Sequence, residues 1–104
     1  MPLPSTTVVD RISASMSIAS MRHQVIASNI SNRDAQGYRR MTLSFENVLG
    51  GDAAPKVVPD TANAGASLEQ DLVDLSTNAM RYESMARVLS RYFSMIGAIA
   101  GSRA

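Results

Sequence analysis

The residues of this chain that could do chemistry are few. It has one histidine, His23, and no cysteine, which leaves little material for a zinc site or a nucleophilic catalyst. His23 lies on the apolar stripe of a predicted helix with no carboxylate within one turn, so we expect it at the edge of a helix interface. Asp71 and Asp74 could share a cation, but they begin a predicted helix, whose positive end favours solvated carboxylates. The sequence therefore predicts no catalytic, cofactor-binding or metal site, and no enzyme.

The composition indicates a single domain without a strong electrostatic preference. The 104 residues carry a formal net charge of +1, and the scattered basic residues indicate no nucleic-acid partner. No apolar run approaches the roughly 20 residues that span a bilayer. The first ten residues, MPLPSTTVVD, lack the basic region and apolar core of a secretory signal. If the protein acts outside the cytoplasm, we expect it to be exported by another route.

Two apolar stripes, one near each end of the chain, predict two long helices. In each stripe the residues recur in alternating steps of three and four, which keeps one seam of a helix against a partner helix. The stripes predict helices over residues 7–32 and 67–100, with Thr7 and Ser67 as N-caps. The predicted interface residues of the first helix are Val9, Ile12, Met16, Ala19, Ile26 and Ile30. Those of the second helix are Leu68, Leu72, Leu75, Ala79, Tyr82, Ala86, Leu89, Phe93 and Ile96.

The second predicted helix has more apolar surface than one partner helix can cover. A further series on it, which we expect to contact other subunits, comprises Met85, Val88, Tyr92, Met95 and Ile99. Helices of about 38 Å and about 50 Å also suit a rod better than a globule. We therefore predict an all-α fold: one elongated domain over residues 1–104, with two terminal helices packed as a coiled-coil-like pair.

The middle of the chain, residues 33–66, reads as irregular or hairpin-like. Residues 41–45 alternate as in a strand, whereas residues 45–49 repeat as in a helical turn. Residues 55–59 could supply a second strand, with Gly50 and Gly51 in the turn between the two.

The segment ASNISNRDAQGYRR, residues 27–40, is the most specific local pattern. It predicts the end of the first helix, with Asn32 and Gly37 adopting or permitting left-handed backbone and Tyr38 packed on a neighbouring helix or subunit. The segment resembles the N-terminal motif of the flagellar axial family, which comprises rod, hook and hook-associated proteins. Family members usually carry Thr-Pro where this chain has Ala35-Gln36. The matching residues are Asn29, Ile30, Asn32, Asp34, Gly37, Tyr38 and Arg39.

Two more stretches resemble the proximal rod proteins of the B type within that family: SFENVL at residues 44–49, and NAMRYESMARVLSRYFSMIGAI at residues 78–99. The resemblance implies a structural subunit that polymerises helically around the export channel at the base of the flagellar rod. It also implies export by the type III apparatus without a cleaved signal, to the periplasmic part of the basal body. The implied partners are copies of the same chain, other rod subunits, the membrane ring and the adaptor protein that joins it to the rod.

Two other functions remain open from the sequence. A needle or inner-rod component of a type III secretion system is also a short helical hairpin, but such proteins usually join their helices by a tight turn. A soluble dimeric helical adaptor would use the same stripes in a closed pair that is stable at low concentration.

Overall fold

The first helix, α1, covers most of the N-terminal third of the chain. In the computed structural model, which describes residues 4–49 and 54–102, α1 runs from Pro4 to Ser31. Helix α1 begins three residues before the predicted N-cap Thr7, because proline is tolerated in a first turn where no intrahelical N–H bond is needed. Beyond its end, the backbone N–H and the side chain of Asn32 both donate to the carbonyl of Ser28, at 3.0 and 2.9 Å.

The long C-terminal helix runs from Leu68 to Ser102 and is α3 in chain order. Ser67 caps it, since its Oγ accepts a hydrogen bond from the N–H of Gln70 at 3.1 Å. The Gln70 side chain does not return to Ser67 but donates to Asp74 at 3.0 Å, so only half of the capping box forms. Glu83 and Arg87 pair one turn apart at 2.7 Å.

Helices α1 and α3 pack side by side in antiparallel orientation. Asn78, near the start of α3, bonds to the carbonyl of Ala19, whereas Leu89 and Phe93, further along α3, share a groove with Met16. The molecule measures 63 × 30 × 16 Å with a radius of gyration of 17.9 Å, against about 13 Å for a compact domain of this length. The predicted pair of long helices is confirmed.

Between the two long helices, the chain forms a two-stranded hairpin. Strand β1, Met41–Ser44, pairs antiparallel with β2, Lys56–Pro59, and a single helical turn, α2, covers Glu46–Leu49. The strand pattern and the helical-turn pattern of this region are therefore both present, one after the other. The predicted glycine turn, Gly50 and Gly51, lies outside the described residues.

The outer edges of the hairpin are closed by different means. The N–H of Asp60 donates to the carbonyl of Arg40, so these two residues form a hydrogen-bonded pair. Because such pairs alternate along antiparallel strands, the odd-numbered residues of both strands direct their N–H and C=O groups away from the partner strand. On β2 one such residue is Pro59, which has no N–H to offer. On β1 the corresponding residue is Met41, whose N–H and carbonyl are both taken by the Asn29 side chain. Each edge thus has one outward position at which a further strand could not make its full set of hydrogen bonds.

The seam of α3 differs from the predicted one. The α1 residues of the predicted interface are all buried or half-buried. On α3, however, Leu72, Ala79, Tyr82, Phe93 and Ile96 are exposed, whereas Leu68, Leu75, Ala86 and Leu89 are half-buried. The buried positions between them are Asp71 and Asn78, with Met85 and Tyr92 half-buried in the same series. The prediction chose Leu72 and Ala79 because it considered only apolar residues. The residues that face the rest of the chain are the preceding ones, Asp71 and Asn78, which are polar and are buried with partners.

Candidate assembly interface

The motif residue Asn29 joins helix α1 to the hairpin. Its side chain is 3 % exposed. Its Nδ2 donates to the carbonyl of Met41 at 2.9 Å, and its Oδ1 accepts from the N–H of Met41 at 3.0 Å. The amide thus bonds to both backbone groups of one residue, as a neighbouring strand would. A shorter or apolar side chain at this position would leave both backbone groups of Met41 without these partners.

The segment that follows α1 folds back so that Tyr38 contacts the same asparagine. Its hydroxyl donates to Asn29 Oδ1 at 2.8 Å and lies 3.3 Å from Ser28 Oγ. Gly37 makes this return possible with φ of 80°, as predicted. Asn32 does not adopt left-handed backbone, since no non-glycine residue in the described chain has positive φ. The side chain of Asn32 bonds back to Ser28 instead, so of the two residues only Gly37 adopts the left-handed conformation.

A buried ion pair joins the hairpin to α3. Arg40 Nη1 and Nη2 donate to the two carboxylate oxygens of Asp71 at 2.7 and 2.8 Å. Asp71 is 2 % exposed, so the expectation of a solvated carboxylate at the helix start was wrong. The bonds from Arg40 lower the pKa of Asp71 and raise that of Arg40, against the cost of burial. Bidentate geometry fixes the distance and the orientation of the two elements.

Two further charged groups surround this pair. Arg33 Nη1 lies 3.9 Å from Asp71 Oδ2, and Asp60 Oδ2 lies 4.0 Å from Arg40 Nε. The Nε of Arg40 is buried without a hydrogen-bond partner among the described residues. Asp60 also bonds to Arg40 through the backbone, from its N–H to the arginine carbonyl at 2.9 Å. The cluster thus connects the end of α1, both strands and the start of α3.

The sequence offered little indication of this cluster. Arg40 follows the last residue of the matched motif, and its partner lies 31 residues further on. A buried carboxylate is rare unless it is paired, but no sequence pattern shows that the pair exists. The remaining motif residues lie around the junction, with Ile30 half-buried and Asp34 and Arg39 exposed.

The outer surface of α3 is rich in large apolar side chains that the chain itself does not cover. Those exposed by 39–60 % are Leu72, Val73, Met80, Tyr82, Val88, Phe93, Met95, Ile96 and Ile99. Of the predicted inter-subunit residues, Val88, Met95 and Ile99 are therefore exposed, whereas Met85 and Tyr92 are half-buried. Apart from Pro55, Ala19 is the only buried apolar residue among residues 7–46, 48 and 54–101.

His23 is exposed beside Ala79 and Tyr82, in a shallow groove between the two helices. No three histidine, aspartate or glutamate side chains lie close enough to hold a metal ion in residues 4–49 and 54–102. Over the same residues, no helix combines the length and apolar character needed to cross a membrane.

Comparison with models of known protein families gives no match for this chain. Comparison with curated proteins gives no match either.

Proposed function

We propose that this chain is a structural subunit of a helical polymer, the proximal rod of the bacterial flagellum. In this role its interfaces are its functional sites, and it has no catalytic site. The proposal combines the physical character of the fold with the motif resemblance.

The observation that carries the proposal is the distribution of apolar surface. A 35-residue helix displays large apolar side chains on several sides, while the chain buries almost none of them. Exposed apolar surface of this extent indicates contacts with other protein chains. Because these side chains follow the helix over most of its length, several neighbours are needed to cover them.

The geometry of the motif residues adds support. Asn29, Gly37 and Tyr38 act together at one junction, where each contributes to turning the chain from α1 into the hairpin. The motif therefore has a structural explanation within this single chain, and it sets the hairpin at a defined place on the helix pair. A polymer needs such a rigid subunit, because errors in its shape would accumulate along the assembly.

The proposed location is the base of the rod, in the periplasmic part of the basal body. The proposed partners there are copies of this chain, other rod subunits and the adaptor that joins the rod to the membrane ring. Arrival would require export through the flagellar type III apparatus. We propose no nucleic-acid partner, in line with the formal net charge of +1.

The test is deletion of the gene followed by complementation. We expect the deletion strain to lose swimming and the rod while the membrane ring still forms, and the unchanged gene to restore both. Val88→Asp should fail to restore them, because it places an unpaired charge in a buried interface. Since Val88 is 53 % exposed in the isolated chain, the variant should still fold. Ser13→Asp, at an exposed position of α1, is the control.

Normal swimming of the deletion strain would overturn the flagellar assignment. Purified Val88→Asp protein should give the circular dichroism spectrum of the unchanged chain, so that a failure to complement can be attributed to assembly. A closed two-fold dimer in solution would favour the adaptor hypothesis instead.

A further inference from the structure

Two pairs of exposed apolar residues on α3 have the same spacing. Val73 and Met80 are seven residues apart in the first half of the helix, and Val88 and Met95 are seven apart in the second half. All four are 52–60 % exposed. A separation of seven residues places both members of a pair on one side of a helix, about 10 Å apart. The two pairs are therefore matched in length.

The two pairs point in different directions. Asp71 and Asn78 mark the side of α3 that contacts the rest of the chain. At about 100° per residue, the Val73–Met80 pair points about 160° away from that side. Further along α3 the half-buried residues Met85 and Tyr92 continue the same side, and the Val88–Met95 pair points about 60° away from them. Neither pair faces α1 of its own chain. If the first pair of one copy contacts the second pair of another copy, each copy keeps one free pair. A further copy can bind there, so the assembly continues without closing.

We propose that the Val73–Met80 pair of one copy packs against the Val88–Met95 pair of the next. The two α3 helices run parallel and are offset by fifteen residues, which corresponds to about 22 Å. This inference rests on the proposed function in one respect only, that the partner is another copy of this chain.

The charges on α3 argue against one of the two-fold alternatives. Antiparallel pairing of Val73 with Met80 of the other copy would place Glu69 opposite Ser84, as the staggered contact does, so charge alone does not exclude this arrangement. Antiparallel pairing of Val88 with Met95 would bring the two Arg91 side chains together. Like charges placed together at an interface oppose association. A closed dimer built on Val88 and Met95 is therefore disfavoured.

The staggered parallel contact brings opposite charges together instead. With an offset of fifteen residues, Glu69 of one copy lies opposite Ser84 of the next, between Arg81 and Arg87 of that copy. Arg87 is already paired with Glu83 at 2.7 Å, which leaves Arg81 as the counter-ion for Glu69. Along α3, acidic residues predominate at the start and basic residues from Arg81 onward, so the offset aligns the two regions. Such complementarity fixes the register of an interface.

Cysteine cross-linking tests the register directly, because the chain has no cysteine of its own. We expect disulfide-linked dimers when Val73→Cys protein is mixed with Val88→Cys protein, and when Met80→Cys is mixed with Met95→Cys. A mixture of Val73→Cys with Met95→Cys is the register control. Its cysteines would be displaced by about 10 Å along the helix, beyond the reach of a disulfide.

The cross-linking outcomes separate the alternatives. Dimers from a mixture of Val73→Cys with Met80→Cys, or of Val88→Cys with Met95→Cys, would indicate an antiparallel two-fold contact and overturn the proposal. Dimers from one variant alone, equal yields in the control mixture or no cross-linking in any mixture would overturn it as well. In sedimentation experiments, Met80→Asp should raise the Kd of self-association by about 100-fold, whereas Ser13→Asp should not change it. If the matched mixtures cross-link but the deletion strain swims, the staggered contact stands and the rod assignment fails.

Discussion

At the scale of single residues, Asn29 replaces a strand that the small sheet lacks. Its side chain makes three hydrogen bonds, two with the backbone of Met41 and one with the Tyr38 hydroxyl. This use of an asparagine explains how a two-stranded sheet of four-residue strands can be held on a helix surface, since an isolated hairpin is marginal in water.

Removing the Asn29 side chain should therefore destabilise the chain more than its small size suggests. We expect Asn29→Ala to lower the free energy of unfolding by about 2–4 kcal/mol, because several polar groups lose their partners in a buried place. Asn32→Ala is the control, since Asn32 bonds only within its own helix end, and it should cost less than about 1 kcal/mol. Urea denaturation of both variants measures the difference. Equal losses would show that Asn29 is not the point of attachment.

The Arg40–Asp71 pair predicts a dependence of stability on pH. Hydrogen bonds from Arg40 lower the pKa of Asp71 in the folded chain, relative to about 3.9 in an unfolded chain. Between these two values the unfolded state binds more protons, so the contribution of the pair is complete above about pH 5 and is lost as the pH falls through the folded pKa. Thermal unfolding between pH 7 and pH 2 should show this acid loss.

The same pair can be tested by substitution. Asp71→Asn should cost about 3 kcal/mol at pH 7, because it leaves the Arg40 charge buried with only Asp60 nearby, and it should flatten the acid limb of the pH profile. Asp74→Asn, three residues away and exposed, is the matched control and should change neither. An unchanged acid limb in Asp71→Asn would assign the pH dependence to other carboxylates.

At the scale of elements, periodicity predicted the two long helices and the hairpin well. The apolar residues of α1 lie on the side that the stripe predicts, because nearly every position of its seam is apolar. The α3 seam could not be read in this way, since Asp71 and Asn78 occupy it. Each of these two is stabilised by a partner distant in sequence, Arg40 or the Ala19 carbonyl. The same reason kept the charged cluster out of the sequence-based candidate site.

The turn between α1 and β1 depends on the backbone conformation of Gly37. A Cβ at this position would meet nothing within 4 Å, but φ is 80°, so Gly37→Ala should cost about 1–2 kcal/mol through backbone strain alone. Gly65 is the matched control, because its surroundings are equally open and its φ is not positive. Gly65→Ala should be neutral or stabilising by up to about 1 kcal/mol. Equal effects in urea denaturation would argue against a strained Gly37.

At the scale of the whole molecule, the stability of this chain is expected to be shared with its neighbours. A leucine buried inside a core costs about 2–5 kcal/mol when it is truncated to alanine. Leu75 and Leu89 are only half-buried in the single chain, so their truncation should fall at or below the low end of that range there. Assembly should raise the cost wherever a neighbour completes the burial. Under the proposed function, the exposed apolar surface of α3 is where contact with other chains would complete the burial.

The scarcity of buried apolar side chains has a calorimetric consequence. The heat-capacity change of unfolding reflects the apolar surface that becomes hydrated, and a globular domain of this length gives about 1.2–1.5 kcal/mol/K. We expect differential scanning calorimetry of the isolated chain to give a markedly smaller value and a broad transition. Titration calorimetry of assembly should supply the difference as a large negative heat-capacity change. A full globular value for the monomer would contradict this expectation. If the monomer value is small, the free energy of unfolding of the single chain should vary little with temperature. The temperature dependence of the stability of a polymer would then come mainly from the contacts between subunits.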